Sequence, residues 1–399
     1  MSLTNTPSSE RVHIGFFGLR NAGKSSLVNA VTNQELSVVS DVLGTTTDPV
    51  KKAMELLPIG AVVIIDTPGF DDVGTLGELR VRKTRKVLAS VDIAVLVVDA
   101  EKGISDDDKE LIELFKERKI PYIIAYNKAD LAEIKTENKN EISVSAKDKK
   151  NIEELKELIG TMLNSKKEKY ILADLVDRGD TVVLVTPIDE SAPKGRLILP
   201  QQQTLRELLD LHCKPVLCQP SELKSTLENF KEKPKLVITD SQVFGIVSKD
   251  VPEDINLTSF SILFARYKGD LDTLVKGAAA LKNLKDGDKV LISEGCTHHR
   301  QCGDIGTVKL PKWIKDYTKK EVEFAFTSGG DFPEDLSDYA LVVHCGGCML
   351  NNREMEYRLN MAKAEGVAMV NYGVLIAHIH GILKKSLSPF KNLTKLLED

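Results

Sequence analysis

Short apolar runs recur along the chain, and each leads into polar, turn-forming residues or a stretch with helical spacing. Residues 12–17 (VHIGFF), 62–65 (VVII), 93–98 (IAVLVV), 122–126 (YIIAY) and 142–144 (ISV) read as strands. Strands that alternate with helices argue for a mostly parallel sheet with helices on both faces. Residues 166–169 form a charged break. Beyond it, 181–186, 236–239 and 262–264 read as strands, and 201–212 reads as a helix with Leu205, Leu208 and Leu209 on one face. The last third repeats the alternation. There 289–293, 322–326, 341–343 and 368–372 read as strands, 269–284 and 352–365 have helical spacing, and Gly373 opens a final helix. The expected class is α/β in three domains, 1–168, 169–268 and 269–399.

Composition narrows this picture. A chain of 399 residues with 42% hydrophobic and 28% charged residues is that of a soluble multidomain protein. The formal net charge of −5 provides no uniform positive field to draw a nucleic-acid backbone. No apolar run is long enough to cross a bilayer, and residues 1–10 lack the apolar core of a secretion signal. The expectation is a cytoplasmic protein with reduced thiols, no membrane and no nucleic-acid partner. Its six cysteines then point to metal or redox chemistry rather than disulfides.

Strand 12–17 runs into Gly18-Leu19-Arg20-Asn21-Ala22-Gly23-Lys24-Ser25, the G-x-x-x-x-G-K-S phosphate loop, and helical spacing begins at Ser26. Gly18 and Gly23 let the backbone bend so that the N–H groups of the 18–26 loop point at phosphate oxygens, aided by the positive end of the helix. Lys24 reaches the outer phosphates, and the Ser25 hydroxyl takes a Mg²⁺ position. Asp66-Thr67-Pro68-Gly69 follows a strand; Asp66 can hold Mg²⁺ through water, and Gly69 can offer its N–H to the last phosphate. Asn127-Lys128-Ala129-Asp130 and Ser145-Ala146-Lys147 follow two more. The Asp130 carboxylate can accept from both the ring N–H and the exocyclic amine of guanine, a donor pair adenine lacks. Asn127 and Lys128 brace the base, and the Ala146 N–H can meet the guanine oxygen. Every one of these motifs falls at the carboxyl end of a strand, where ligands bind in doubly wound sheets.

The second constellation lies in the last third: Cys296-x-His298, 45 residues, then His344-Cys345-Gly346-Gly347-Cys348. A Cys-x-x-Cys turn brings two sulfurs to one centre, and Gly346 and Gly347 permit the turn. Two strands deliver these thiols at their carboxyl ends, so one parallel sheet would bring them to one crevice. Residue chemistry leaves two readings open, a [4Fe–4S] cluster on three thiolates with histidines nearby and a structural Cys₃His zinc site. Cys302 can complete a four-cysteine set. Cys213 and Cys218 read as buried thiols packed as small hydrophobes. His299, His378 and His380 read as surface or helix-packing residues, and the basic run 80–86 as a solvated helix side.

The first domain resembles the translation-factor-like GTPases and, within them, the MnmE/Era-like group. Phe70 stands where Ras-like enzymes carry a catalytic Gln. Asn21 matches the residue that helps hold K⁺ against the phosphates in potassium-activated members, the cation replacing an arginine finger. Gly44-Thr45-Thr46-Thr47-Asp48 resembles their first switch, with Thr46 the match to the Mg²⁺-sensing Thr; Thr47 replaces the usual Arg and leaves Thr46 and Thr47 as alternatives. The resemblance implies Lys24, Asn21 and Thr46 as the catalytic set of a Mg²⁺-dependent, K⁺-activated GTPase. A GTPase of this type followed by the cysteine–histidine motif resembles the HydF family of [FeFe]-hydrogenase maturation GTPases over nearly the whole chain. That resemblance implies a homodimer formed through the middle domain and a [4Fe–4S] cluster in the last, with Cys296, Cys345 and Cys348 matching the thiolate ligands and His298 and His344 the motif histidines. It further implies a scaffold that receives a transient di-iron subcluster precursor from two radical-SAM maturases and passes it to apo-[FeFe]-hydrogenase. The alternatives are a ribosome- or RNA-associated GTPase with a structural zinc module and a redox enzyme using the cluster for electron transfer.

Overall fold

The structure, a computed structural model, describes residues 6–34, 49–68, 84–132, 134–163, 169–188, 197–295, 304–390 and 392–393. The chain divides into two compact units, Met1–Glu168 and Lys169–Asp399.

In the first unit, β1 (Val12–Phe17), β2 (Val50–Leu56), β3 (Gly60–Asp66), β4 (Ile93–Asp99), β5 (Tyr122–Asn127) and β6 (Glu141–Ser143) form one sheet in the order β2-β3-β1-β4-β5-β6. All neighbours are parallel except β2, which runs antiparallel to β3. The pleat sends Ile14, Phe16, Ile64 and Val95 into one core layer with Leu27 and Val31 of the helix Lys24–Thr32. It sends Phe17, Ile65, Leu96 and Val98 into the other, with Leu111 and Phe115 of the helix Asp106–Glu117. Both faces are covered, which is why β4 is apolar until Asp99 and shows no alternation. Strand β2 was missed in the sequence: VKKAMEL is mostly exposed, and an edge strand carrying Lys51 and Lys52 has one partner and little core to signal it.

The second unit holds two four-stranded, all-parallel sheets. One consists of β7 (Thr181–Val185), β8 (Lys214–Cys218), β9 (Leu236–Thr239) and β10 (Asn256–Ser259), ordered β10-β9-β7-β8. The other consists of β11 (Lys289–Glu294), β12 (Glu323–Ser328), β13 (Leu341–His344) and β14 (Ala368–Asn371), ordered β12-β11-β13-β14. A continuous apolar core runs from Ile171 to Leu393 and serves both sheets. The helix Leu271–Ala279 lies so close to β14 that a Cβ on Gly277 would run into the Met369 carbonyl.

Residues 262–264, read as a strand, lie instead in the helix Phe260–Lys268, whose first turn is capped by Ser259 Oγ accepting from the Ile262 N–H at 3.2 Å. Phe260, Ile262, Leu263, Phe264 and Ala265 are all buried, so the helix has no polar stripe to reveal its period. Cys213 and Cys218 are buried; Cys213 Sγ donates to the Asp177 carbonyl at 3.3 Å, and burial pushes both thiols up. His378 packs on Tyr317 and His380 on Trp313. No helix among the described residues is long and apolar enough to cross a membrane.

Candidate nucleotide site and candidate cluster site

Strands β1, β3, β4, β5 and β6 are parallel, so Gly18, Asp66, Asp99, Asn127 and Ser145 collect at one edge of the first sheet. Between β1 and its helix the backbone turns left-handed at Gly18 (φ +139°), Asn21 (φ +60°) and Gly23 (φ +86°). A Cβ on Gly18 would meet the Val97 carbonyl, and one on Gly23 the Asn127 amide. Asn127 joins two motifs. Its amide donates to the Ala22 carbonyl at 3.1 Å, and its Oδ1 accepts the Ala146 N–H at 3.0 Å. The N–H expected to meet guanine is thus held by Asn127 in this conformation. Lys24 is buried, with Nζ donating to the Leu19 carbonyl at 2.6 Å.

Ser25 Oγ donates to Asp66 Oδ2 at 2.8 Å, while the buried Asp66 Oδ1 has no hydrogen-bond partner. An orphaned carboxylate oxygen beside a hydroxyl fits a hard cation. Lys128, at φ +68°, sends Nζ to Asp99 Oδ2 at 2.6 Å; burial works against the Asp99 carboxylate, but hydrogen bonds from Lys128 and the Glu101 N–H bring it below its ordinary value. Asp130 Oδ1 accepts from Ser145 Oγ at 2.8 Å, which holds this carboxyl below its usual range, and Lys147 Nζ lies 3.9 Å from its other oxygen. Ser26 follows Ser25 in the first turn of the helix. Thr46, Thr47, Gly69 and Phe70 lie outside the described residues.

In the second unit the sheet order places β12 on one side of β11 and β13 on the other, so the direction of winding reverses between β11 and β13. Crevices at such points bind ligands in open α/β sheets. Ser293 pairs with His344, and the ladder continues with the Cys345 N–H donating to the Ser293 carbonyl at 2.9 Å. Cys345 Sγ accepts from the Gly295 N–H at 3.0 Å and from the Gly347 N–H at 3.4 Å. The first contact puts the residue before Cys296 against the Cys345 sulfur, as expected if both strands serve one crevice. Gly347 turns left-handed at φ +62°. Burial pushes the Cys345 thiol up to about 11 and the Cys348 thiol also upward; the Lys268 charge works the other way on Cys348. Cys296, His298, His299 and Cys302 lie outside the described residues, and among the described residues no group of three or more His, Cys, Asp or Glu side chains forms a metal site.

His344 is fully buried and both of its ring nitrogens are engaged. Nδ1 donates to the Cys345 carbonyl at 2.7 Å, and Nε2 accepts from Arg358 Nη1 at 2.9 Å. Burial and the guanidinium push its pKa down to about 3, so it stays neutral. In this conformation His344 offers no lone pair toward the sulfurs; the sequence leaves open whether this motif histidine binds iron. Arg358, equally buried on the helix Asn352–Ala364, also donates to the Gly329 carbonyl at 2.7 Å and pairs with Glu354. Neither Arg358 nor Lys268 stands in a motif, and only a charged residue inside a largely buried helix face could have flagged them.

A phosphate loop at the end of β1 and a doubly wound sheet define the first unit as a P-loop GTPase domain. Its residues 13–128 match the profile of the 50S ribosome-binding GTPase domain. Residues 171–269 match the hydrogen maturase F dimerization domain and residues 272–389 the hydrogen maturase F tetramerization domain. The chain belongs to the hydrogen maturase F family, the hydrogenase-maturation GTPases. Its two family domains are assembly domains, so the last third, read from sequence as a cluster domain, also serves oligomerisation. Curated relatives include the tRNA modification GTPase MnmE of Desulforamulus reducens, 37% identical over 122 residues (30% of this chain, 26% of that protein). GTPase Der of Nitratiruptor sp. is 27% identical over 270 residues, 56% of this chain and 58% of that protein. The chain thus spans about a quarter to three-fifths of the length of these relatives. Among solved structures, Aquifex aeolicus Era bound to GDP and aluminium fluoride matches at 20% identity and a TM-score of 0.34, covering 52% of this chain and 92% of that one.

Proposed function

We propose that the protein is a GTP-hydrolysing scaffold that binds a [4Fe–4S] cluster and carries the di-iron subcluster precursor from two radical-SAM maturases to apo-[FeFe]-hydrogenase. The observation that carries the reading is the 3.0 Å contact between the Gly295 N–H and Cys345 Sγ at the switch point between β11 and β13. It supports Cys296, Cys345 and Cys348 as one thiolate set, and soft thiolates with backbone N–H donors suit an iron–sulfur cluster. His344, committed to Arg358 and the Cys345 carbonyl, supports the turn rather than binding iron, and His298, Cys302 or an exogenous group is left for the fourth iron.

In the GTPase unit, Lys24 and the N–H groups of the 18–26 loop bind the phosphates, and Gly69 reaches the last one. Asp130 reads guanine, with Asn127, Lys128, Ser145, Ala146 and Lys147 holding its loop. Ser25, Asp66 and Thr46 would hold Mg²⁺ and Asn21 would hold K⁺; together the two cations neutralise charge on the phosphates. Contact of the first-switch threonine with Mg²⁺ and the terminal phosphate is the local event through which the nucleotide biases partner affinity. The first test is transfer. Protein co-expressed with both maturases should activate purified apo-[FeFe]-hydrogenase, and protein made without them should not. Equal activation by the two preparations would overturn the carrier role.

A further inference from the structure

The helix Phe260–Lys268 belongs to the segment matched by the dimerization domain, whereas the Cys345–Cys348 turn belongs to that matched by the tetramerization domain. Lys268, the last residue of that helix, joins them. It is 1% exposed, and its ammonium donates to the carbonyls of Gly347 at 3.1 Å, Cys348 at 3.1 Å and Leu350 at 2.5 Å. A lysine has three N–H donors, and three acceptors from the same turn receive them. Burying an ammonium is costly, and an apolar side chain would satisfy the helix and the core at that position.

The geometry of the peptide group gives these contacts a consequence at the sulfurs. In a trans peptide the carbonyl of one residue and the N–H of the next point in opposite directions. Drawing the Gly347 and Cys348 carbonyls toward the ammonium therefore turns the N–H groups of Cys348 and Met349 away from it, and fixes the turn in which the Gly347 N–H donates to Cys345 Sγ at 3.4 Å. The Leu350 N–H closes back on the Gly347 carbonyl at 3.0 Å, which completes the turn before Asn351 caps the next helix.

We propose that Lys268 is a positioning residue for the cluster: it locks the peptide planes of the Cys-x-x-Cys turn that presents the two sulfurs, and its charge favours the reduced, more negative state of the bound cluster. The inference rests on the cluster reading above. It also means that the element closing the cluster turn is supplied by the dimerization segment, so the middle and last thirds together build the site.

The test is a redox titration, followed by EPR, of anaerobically reconstituted full-length wild type, Lys268→Gln and Lys268→Arg, with iron content and release to a chelator measured alongside. Gln is one atom shorter and keeps an amide NH2 that can donate, but removes the charge. It should disfavour reduction by about tenfold, a fall of about 59 mV for one electron, and release iron about tenfold faster. Arg keeps the charge and should stay within about a third of that shift. A wild-type potential in the Gln variant overturns the proposal, even if its melting temperature falls, and so does an Arg variant shifted as far as Gln. A wild type that takes up no cluster overturns the cluster reading itself, an outcome visible before any variant is compared.

Discussion

Replacing Arg358 by Met tests the buried network beneath the Cys345 turn. The guanidinium is 1% exposed and serves His344 Nε2, the Gly329 carbonyl and the Glu354 carboxylate, and it stacks 4.9 Å from the centroid of Phe332. Methionine fills much of the volume but leaves these acceptors, and Ser293 Oγ at 3.4 Å, without the guanidinium donor. Breaking a buried ion pair from one side costs about 3–5 kcal/mol, and a stranded neutral acceptor about 1–3 kcal/mol. These costs do not add, because Glu354 keeps 16% exposure and can turn toward water. The expected loss is about 4 kcal/mol. The chain has a single tryptophan, Trp313, which lies in the second unit against His380, so urea unfolding followed by its fluorescence reads that unit. Replacing Glu354 by Leu as well removes the unpaired charge, and the double variant should recover about 2 kcal/mol of the loss. A single variant that loses under about 1 kcal/mol, or a double variant no better than the single, would refute the view that this network carries the turn.

Three further outcomes follow from the geometry. Gly277→Ala should destabilise the second unit by about 1–3 kcal/mol in the same urea assay, because its methyl would press on the Met369 carbonyl rather than on a movable side chain. GTP hydrolysis should be faster in KCl than in NaCl at equal ionic strength, and equal rates would remove the role given to Asn21. The Asp130 carboxyl is held below its ordinary value by Ser145, so base recognition is fully present above that ordinary value and is lost only as pH falls through the lowered one. Guanine-nucleotide affinity should therefore be flat from about pH 8 to pH 5.5, and Asp130→Asn should weaken GTP binding by about tenfold or more.

The parts of this molecule that could be read in advance are those where a local rule and the tertiary structure agree. Strands β1, β4 and β5 are mostly apolar because both faces of their sheet are covered, and polar motif or turn residues stand where those runs stop. Thiols at the ends of two strands share a crevice if those strands lie in one parallel sheet, and β11 and β13 are parallel neighbours. Other features had no local signal. Strand β2 draws its stability from a single neighbour, and the helix Phe260–Lys268 is too thoroughly buried to show a period. The partners of Lys268 lie 79 to 82 residues away, so nothing near it in the chain marks it as part of the cysteine turn. The part played by His344 likewise depends on Arg358, a helix residue 14 positions on that no metal-site spacing includes.

Cys296, Cys345 and Cys348 are proposed to hold one iron–sulfur centre. Iron, zinc and acid-labile sulfide should be quantified in the anaerobically reconstituted protein, with EPR of the reduced sample. About four iron ions and about four sulfides per chain are expected, with a reduced-cluster signal that Cys345→Ser abolishes. One zinc ion per chain without sulfide, or a signal that survives the Cys345→Ser change, would contradict it.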